Sequence, residues 1–248
     1  MPLTCDLETG ICAPSSLAEF DNTLPQIEHA DIEFIYIGDP MCSWCWGVSK
    51  TVKDIQSFST LKGIKFSVIV GGLRPGGGDK WTDQFKAFLR REWQHIQKFT
   101  EQPFSFKLLD RESFNYDTEP ACRAVVTARE ILSGKDVNDL KLLPFFSAIQ
   151  YKFYVAGEDP SSVEFYRDLC EKHNIDFGTF SEKFSSAELQ KETFKEFQLN
   201  RSWGVHGFPS FALRKGNEVT IIGSGHIELH NVLNAINAAI ATKQAQAK

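Results

Sequence analysis

The sequence predicts an α/β fold in which a long helical insertion interrupts a central mixed β-sheet. Two apolar, β-branched segments separated by a helical pattern lie near the start of the chain, and two more lie near its end. The segment between these two pairs has mostly helical periodicity and is interrupted by prolines. We therefore expect a βαβ unit, an inserted helical domain and a ββα unit, with helices on both faces of the sheet.

The first unit is predicted as a strand over residues 32–37, a helix from about Cys42 to Phe58, and a parallel strand over residues 64–70. The ββα unit is predicted as a hairpin followed by a last helix. Its strands fall on residues 210–213 and 219–222, and the helix on residues 226–241.

Helices in the insertion are predicted from apolar positions at helical spacing. They fall on residues 81–97, 120–132, 137–155, 160–173 and 181–203. The predicted domains are an irregular N-terminal extension (1–30), a sheet domain in two pieces (31–78 and 201–248) and the inserted helical domain (79–200). The glycine-rich residues 71–78 lack the ending of a phosphate loop, so we interpret them as a flexible connector.

Composition excludes some classes of partner. The formal net charge is −5 and basic residues form no block, which argues against nucleic acid as the main partner. No apolar run approaches the length of a membrane span, and the first residues do not resemble a signal peptide. We therefore expect a cytoplasmic protein with neither a nucleic-acid nor a membrane partner.

Two cysteines carry the clearest chemical signal. Residues 39–47 read DPMCSWCWG, which places Cys42 and Cys45 where the first predicted strand ends and the first helix begins. Unpaired N–H groups and the helix dipole favour negative charge at a helix N-terminus, so we expect a stabilised thiolate at Cys42. Cys45, about one turn later, is placed to resolve a mixed disulfide. The pattern predicts reversible thiol–disulfide exchange.

A second motif precedes the predicted hairpin. Residues 204–211 read GVHGFPSF, with Pro209 at the start of a strand, where a cis peptide is often found. With the CxxC and the helical insertion, this motif resembles the thioredoxin superfamily, specifically its DsbA-like branch. Residues 39–47 and residues 116–124 (YDTEPACRA) are similar to cytoplasmic members described as protein-disulfide isomerases.

The resemblance implies a role for each matching residue. Cys42 is the nucleophile, Cys45 the resolving thiol, and Pro209 the cis proline of the fold. The dipeptide Ser43-Trp44 tunes the redox potential, and Phe208 contacts substrate. Because Trp44 lies inside the CxxC, we expect its side chain to be exposed beside the sulfurs rather than buried in the core. The expected partners are protein or small-molecule disulfides and thiols, and a recycling reductase. No bound cofactor is expected, with glutathione a candidate redox co-substrate.

One position departs from the family pattern. Where related proteins often have a buried carboxylate that assists the resolving thiol, this chain has Tyr36, with Glu33 and Asp39 the nearest acids. The proton acceptor for Cys45 is therefore open, with His206 or a water as candidates. His206 is also a candidate for tuning the Cys42 thiolate.

Three alternatives stay open at this point. The same fold supports glutathione-dependent isomerases and kappa-type glutathione transferases, although these do not need a resolving thiol such as Cys45. A zinc-binding or chaperone-like module is the non-enzymatic alternative, and we expect no metal site. Cys5 and Cys12 form either a second redox pair or two unrelated thiols, whereas Cys122 and Cys170 are expected to pack in the core.

Overall fold

A computed structural model describes residues 4–6, 8–9, 11–13, 32–132 and 139–246 of the 248-residue chain. A four-stranded mixed sheet lies at its centre, with strand order β4-β3-β5-β6. Its strands are β3 (Glu33–Gly38), β4 (Lys65–Val70), β5 (Ser210–Lys215) and β6 (Glu218–Ser224). β3 pairs parallel with β4 and antiparallel with β5, and β5 pairs antiparallel with β6. The predicted fold class is confirmed.

Nine α-helices are described, and none is long and apolar enough to cross a membrane. They are α1 (Ser43–Gly47), α2 (Ser49–Leu61), α3 (Asp83–Thr100), α4 (Glu119–Leu132), α5 (Leu142–Tyr151), α6 (Arg167–Lys172), α7 (Phe177–Phe184), α8 (Ala187–Ser202) and α9 (Leu229–Gln246). Helices α1 and α2 connect β3 to β4, α3 to α8 form the insertion, and α9 packs against α2.

Several predicted helices are divided in the structure. The helix predicted from Cys42 to Phe58 is interrupted at Val48. The residue before it, Gly47, packs closely against α3, since a Cβ at position 47 would lie 2.9 Å from Ile96. The segment 181–203 is split because Ser186 accepts a hydrogen bond from the Leu189 N–H and so begins α8 as a new helix. The segment 160–173 is a 3₁₀ turn (Val163–Tyr166) followed by α6. The segment predicted at 137–155 is α5 followed by a π-helical turn at Lys152–Ala156, and its first two residues lie outside the described part.

The N-terminal extension is not wholly irregular as predicted. Strands β1 (Thr4–Asp6) and β2 (Ile11–Ala13) form an antiparallel hairpin, and residues 14–31 lie outside the described part of the chain. Pairing between such short strands depends on cross-strand hydrogen bonds and tertiary contacts, which three-residue segments do not reveal through their periodicity.

The insertion covers the open edge of the sheet at β4. The N–H of Val68 donates to the Asp139 carboxylate at 2.6 Å, and the N–H of Val70 donates to Glu196 at 2.9 Å. Arg129 donates to the carbonyl of Val68 at 2.8 Å. Side chains thus satisfy backbone groups that an edge strand otherwise leaves available for pairing with another chain.

The core continues from the sheet into the insertion through aromatic rings. All six residues of β3 are buried, which accounts for its almost continuous apolar sequence. The Tyr36 ring lies edge-on to Phe146 of α5 at 5.8 Å and stacks with Phe211 of β5 at 5.9 Å. The CxxC segment lies at the end of this buried strand.

Residues 71–74 are buried, so the first half of the segment predicted as a flexible connector is part of the core. A Cβ at Gly71 would lie 2.6 Å from the Phe208 ring, and one at Gly72 would lie 2.6 Å from the Phe197 ring. These glycines are required for close packing rather than for flexibility.

Candidate active site

The two cysteines of the CxxC lie at the start of α1, directly after the loop that follows β3. Cys42 is the N-cap of α1, and Cys45 lies within that helix. Both are free thiols, and both are fully buried. The structure therefore places the predicted nucleophile directly before one short helix and the predicted resolving thiol within it.

The Cys42 sulfur contacts the segment that carries Pro209. Cys42 Sγ lies 3.5 Å from the carbonyl oxygen of Phe208, to which the thiol donates a hydrogen bond. The Phe208–Pro209 peptide is cis, in agreement with the resemblance. Two segments separated by 166 residues thus meet at the sulfur atom.

Burial controls the ionisation of Cys42. Desolvation raises the pKa of this thiol well above its ordinary value, and the neighbouring Cys45 and Asp39 raise it further. A hydrogen bond with the Cys45 backbone lowers the Cys42 pKa but does not offset these effects. The predicted stabilised thiolate at Cys42 is wrong for this closed arrangement, because the loss of water outweighs the N-terminus of a five-residue helix.

Phe208 and Pro209, the predicted substrate-binding residues, are both buried. The Phe208 ring lies 2.6 Å from the position that a Cβ of Gly71 would take. The backbone carbonyl of Phe208 accepts the hydrogen bond from the Cys42 thiol. In this arrangement the thiol occupies a backbone acceptor that the predicted strand pairing with substrate would use.

Tyr36 lies beside Cys45, at the position where the resemblance predicts a buried carboxylate. Its hydroxyl is a hydrogen-bond partner of Cys45, and burial is the largest cause of a pKa raised well above the usual range for tyrosine. The phenol therefore stays protonated and can donate a hydrogen bond to a thiolate at Cys45.

Asp39 organises the loop that leads into the CxxC. Its carboxylate accepts hydrogen bonds from the N–H of Met41 at 2.8 Å, the N–H of Leu73 at 2.7 Å and the thiol of Cys122 at 3.3 Å. Its own N–H donates to Cys45 Sγ at 3.5 Å. Burial raises the pKa of Asp39, while the Leu73 and Met41 N–H groups oppose the shift. Asp39 thus connects Cys45 with the glycine-rich segment.

Glu33, the other acid near Tyr36 in sequence, lies at the opposite end of β3. It forms ion pairs with Arg214, and with Lys65 at 3.2 Å. Because β3 separates it from the CxxC, Glu33 is not placed to take a proton from Cys45.

Trp44 is buried, so its predicted exposure beside the sulfurs is wrong. The indole lies edge-on to the rings of His95 (6.0 Å), Phe99 (5.9 Å) and His226 (6.4 Å). His95 and Phe99 come from α3 and His226 from the loop before α9, so only the fold could bring them together. The sequence analysis did not identify these three residues.

The other predicted tuning residues differ in exposure. Ser43, the first residue of α1, is buried. His206 is exposed, two residues before Phe208, so the solvent rather than the core surrounds its ring. Their effects on redox potential stay predictions.

The insertion also reaches the site through Tyr116 and Cys122. The hydroxyl of Tyr116 donates to the carbonyl of Met41 at 2.8 Å. Cys122 was expected to be a core residue, and it is buried, but its hydrogen bond to Asp39 also places it beside the site.

Cys170 is buried in α6, as predicted. No cluster of three or more His, Cys, Asp or Glu side chains in the described part of the chain is arranged to hold a metal ion.

Three solved proteins have a similar architecture. A candidate protein disulfide isomerase from Nitrosomonas europaea superposes with a TM-score of 0.73 at 29% identity, covering 86% of this chain and 99% of its own. The cytosolic disulfide reductase DsbM from Pseudomonas aeruginosa superposes at 0.63 with 22% identity, covering 87% and 98%. The oxidoreductase DsbA from Xylella fastidiosa superposes at 0.53 with 13% identity, covering 87% of each chain. The chain has the DsbA-like thioredoxin fold.

Neither a protein-family model nor a curated protein matches the sequence. DsbM is also similar in its structure with GSH, where the TM-score is 0.61 and the identity 22%. In this DsbA-like fold, α1 carries the CxxC, the cis proline opens β5, and the insertion lies between β4 and β5.

Proposed function

We propose that the protein is a dithiol–disulfide oxidoreductase that uses Cys42 and Cys45. The observation that carries the proposal is the meeting of the Cys42 sulfur, at the N-cap of α1, with the carbonyl of Phe208 before the cis Pro209. This arrangement places Cys42 beside the carbonyl of Phe208, and an extended disulfide substrate pairs with that carbonyl once the Cys42 thiol has released it.

The reaction has two exchange steps. Cys42 loses its proton and attacks one sulfur of the substrate disulfide as a thiolate, and the other sulfur leaves as a thiolate that takes up the proton lost by Cys42. The Cys45 thiolate then attacks Cys42 Sγ, which forms the Cys42–Cys45 disulfide and releases the second substrate thiol. The Tyr36 hydroxyl stabilises the Cys45 thiolate before its attack.

We further propose that the physiological direction is reduction of substrate disulfides. Strongly oxidising members of this fold stabilise their reduced form through a thiolate, whereas burial here raises the pKa of Cys42. A dithiol without that stabilisation is the better electron donor. Glutathione is the proposed co-substrate that returns the enzyme to its reduced form.

The redox potential tests this direction. Equilibration in thiol buffers, followed by alkylation and mass spectrometry, is expected to give a value near that of thioredoxin, about −270 mV, rather than that of DsbA, about −120 mV. A value near that of DsbA would contradict the reductive direction but not the exchange chemistry.

Substitution of single cysteines tests the chemistry itself. Cys42→Ser is expected to abolish reduction of a protein disulfide, and Cys45→Ser to accumulate mixed disulfides at Cys42. Cys170→Ala is the matched control, because this buried thiol belongs to α6 rather than to α1. Full multiple turnover by Cys45→Ser would show that the two-cysteine mechanism is wrong.

The glutathione-dependent isomerase and transferase alternative has less support. Cys45 lies one turn from Cys42 with a hydrogen-bond partner of its own in Tyr36, an arrangement that a single-thiol mechanism does not need. Saturable glutathione binding without any disulfide-reductase activity would favour that alternative.

A further inference from the structure

The N-terminal hairpin brings two cysteines together beside the active-site helix. In the antiparallel pairing of β1 with β2, Cys5 is in register with Cys12. Residues directly opposite in such a pair have Cα atoms about 4.5 to 5.5 Å apart, within the range that a disulfide spans. The backbone register alone therefore permits a Cys5–Cys12 disulfide without movement of the strands.

The hairpin is docked at the CxxC. Cα atoms of β2 lie within 8 Å of those of α1, the helix that carries Cys45 and begins after Cys42. At the tip of the hairpin, the carbonyl of Thr9 accepts a hydrogen bond of 3.2 Å from the N–H of His226. The His226 ring in turn lies against Trp44 within the CxxC. One face of the active site is thus joined to the hairpin.

The position of the hairpin matters because both active-site sulfurs are fully buried. The turn residues Glu8 and Thr9 are exposed, so the hairpin extends from the buried helix to the solvent. A redox pair on this hairpin would connect the solvent with Cys42 and Cys45.

We propose that Cys5 and Cys12 form a second redox-active pair that exchanges electrons with the Cys42–Cys45 pair inside one molecule. This inference rests on the proposed function of Cys42 and Cys45. In this proposal the recycling thiol reacts first at the hairpin, whereas substrate disulfides react at Cys42. A disulfide that closes so short a loop gains less stability from chain entropy than one that closes a long loop, which suits a bond that is repeatedly reduced.

The exchange balances without a further reactant. The Cys42 thiolate attacks the Cys5–Cys12 disulfide, giving a mixed disulfide and one free hairpin thiolate. The Cys45 thiolate then attacks Cys42 Sγ and releases the second hairpin thiolate. Two electrons pass from the CxxC to the hairpin, and the two protons lost by the CxxC thiols are taken up by the hairpin thiols. The reverse sequence reduces the CxxC disulfide.

A trapping experiment tests the exchange directly. Full-length Cys45→Ser is combined in turn with Cys5→Ser or Cys12→Ser, so that no Cys5–Cys12 disulfide can form. After treatment with a small excess of diamide, one of the two variants is expected to contain an intramolecular disulfide between Cys42 and the remaining hairpin cysteine, identified by peptide mapping without reduction. Cys45→Ser with both Cys5→Ser and Cys12→Ser should instead leave Cys42 open to glutathione. Absence of the hairpin linkage from both variants, with a Cys42 that still accepts glutathione, would overturn the inference. A Cys42 that accepts neither would instead contradict the proposed function.

Turnover gives a second, independent test. Reduction of insulin is expected to slow about tenfold or more when Cys5 and Cys12 are both replaced by Val, because a neighbouring pair reacts at a high effective concentration. Valine keeps the strand preference of both positions, so loss of activity would come from loss of the thiols. Unchanged turnover in this variant, with a Cys42–Cys45 disulfide that still forms, would also overturn the inference.

Discussion

A Cβ atom at position 38 would lie 2.5 Å from the hydroxyl oxygen of Tyr36, so the phenol fills the space above Gly38. Both residues belong to β3 and, two positions apart, face the same side of the sheet. Glycine at position 38 therefore lets the hydroxyl of Tyr36 reach its hydrogen-bond partner, Cys45.

Gly38→Ala is expected to destabilise the protein by about 1–3 kcal/mol, since the added methyl overlaps the Tyr36 ring and must displace it. Urea denaturation measures the change. Gly178→Ala in α7 is the matched control, because its new Cβ would meet only Asp176, at 3.4 Å. That control should be neutral or stabilising, by up to about 1 kcal/mol. Equal losses in the two variants would contradict the steric argument.

Tyr36→Phe removes the hydroxyl but keeps the ring. We expect release of a Cys42-linked mixed disulfide to slow by about tenfold or more, because hydrogen bonds to charged groups contribute about 1.5–3 kcal/mol. Stopped-flow decay of a preformed mixed disulfide measures this step. The rate at which Cys42 attacks a small disulfide is the internal control and should change much less. Slowing of both steps to the same extent would indicate a general structural effect.

Glu119 predicts a pH dependence of stability. Burial raises the pKa of this carboxyl from 4.5 to about 7, even though Arg123 lies 3.0 Å away. The folded state therefore binds a proton that the unfolded state has released between these pH values, so the stability from this group falls as the pH rises from about 4.5 to 7. The loss is at most about 3 kcal/mol.

Glu119→Gln should remove that part of the pH dependence. Urea denaturation of wild type and of Glu119→Gln at pH 5 and pH 8 gives the change in the free energy of unfolding of each protein between the two pH values. The difference between the two changes is the contribution of Glu119. The free energy of unfolding of Glu119→Gln, taken relative to that of wild type, is expected to be higher at pH 8 than at pH 5. A variant that loses stability relative to wild type between pH 5 and pH 8 would contradict the raised pKa of Glu119.

Arg129 links the insertion to the edge strand β4 through the Val68 carbonyl. Arg129→Met removes the hydrogen bond to the Val68 carbonyl and leaves Glu196 without its cation. We expect a loss of about 1–3 kcal/mol, because the Val68 carbonyl and the partly buried Glu196 carboxylate each lose a hydrogen-bond donor. Thermal unfolding measures it. Lys183→Met, which breaks the exposed ion pair with Glu130, is the control and should change stability by less than about 1 kcal/mol.

The sequence by itself determined the order of strands and helices around the site. β3 was predictable because a strand buried on both faces has an almost continuous apolar run, and β4 because its buried positions Phe66, Val68 and Val70 alternate with more exposed ones. Cys42 and Cys45 were predictable because their spacing is a local property. Pro209 was predictable from its position at the start of β5.

Only the tertiary structure decided what surrounds those residues. Trp44 is buried by His95, Phe99 and His226, which lie at least 51 residues away along the chain, and no periodicity contains that contact. The pKa of Cys42 was likewise misjudged from its place at a helix N-terminus, since desolvation depends on every segment packed around the sulfur. Local patterns specify which atoms can react, whereas long-range packing sets their exposure and charge.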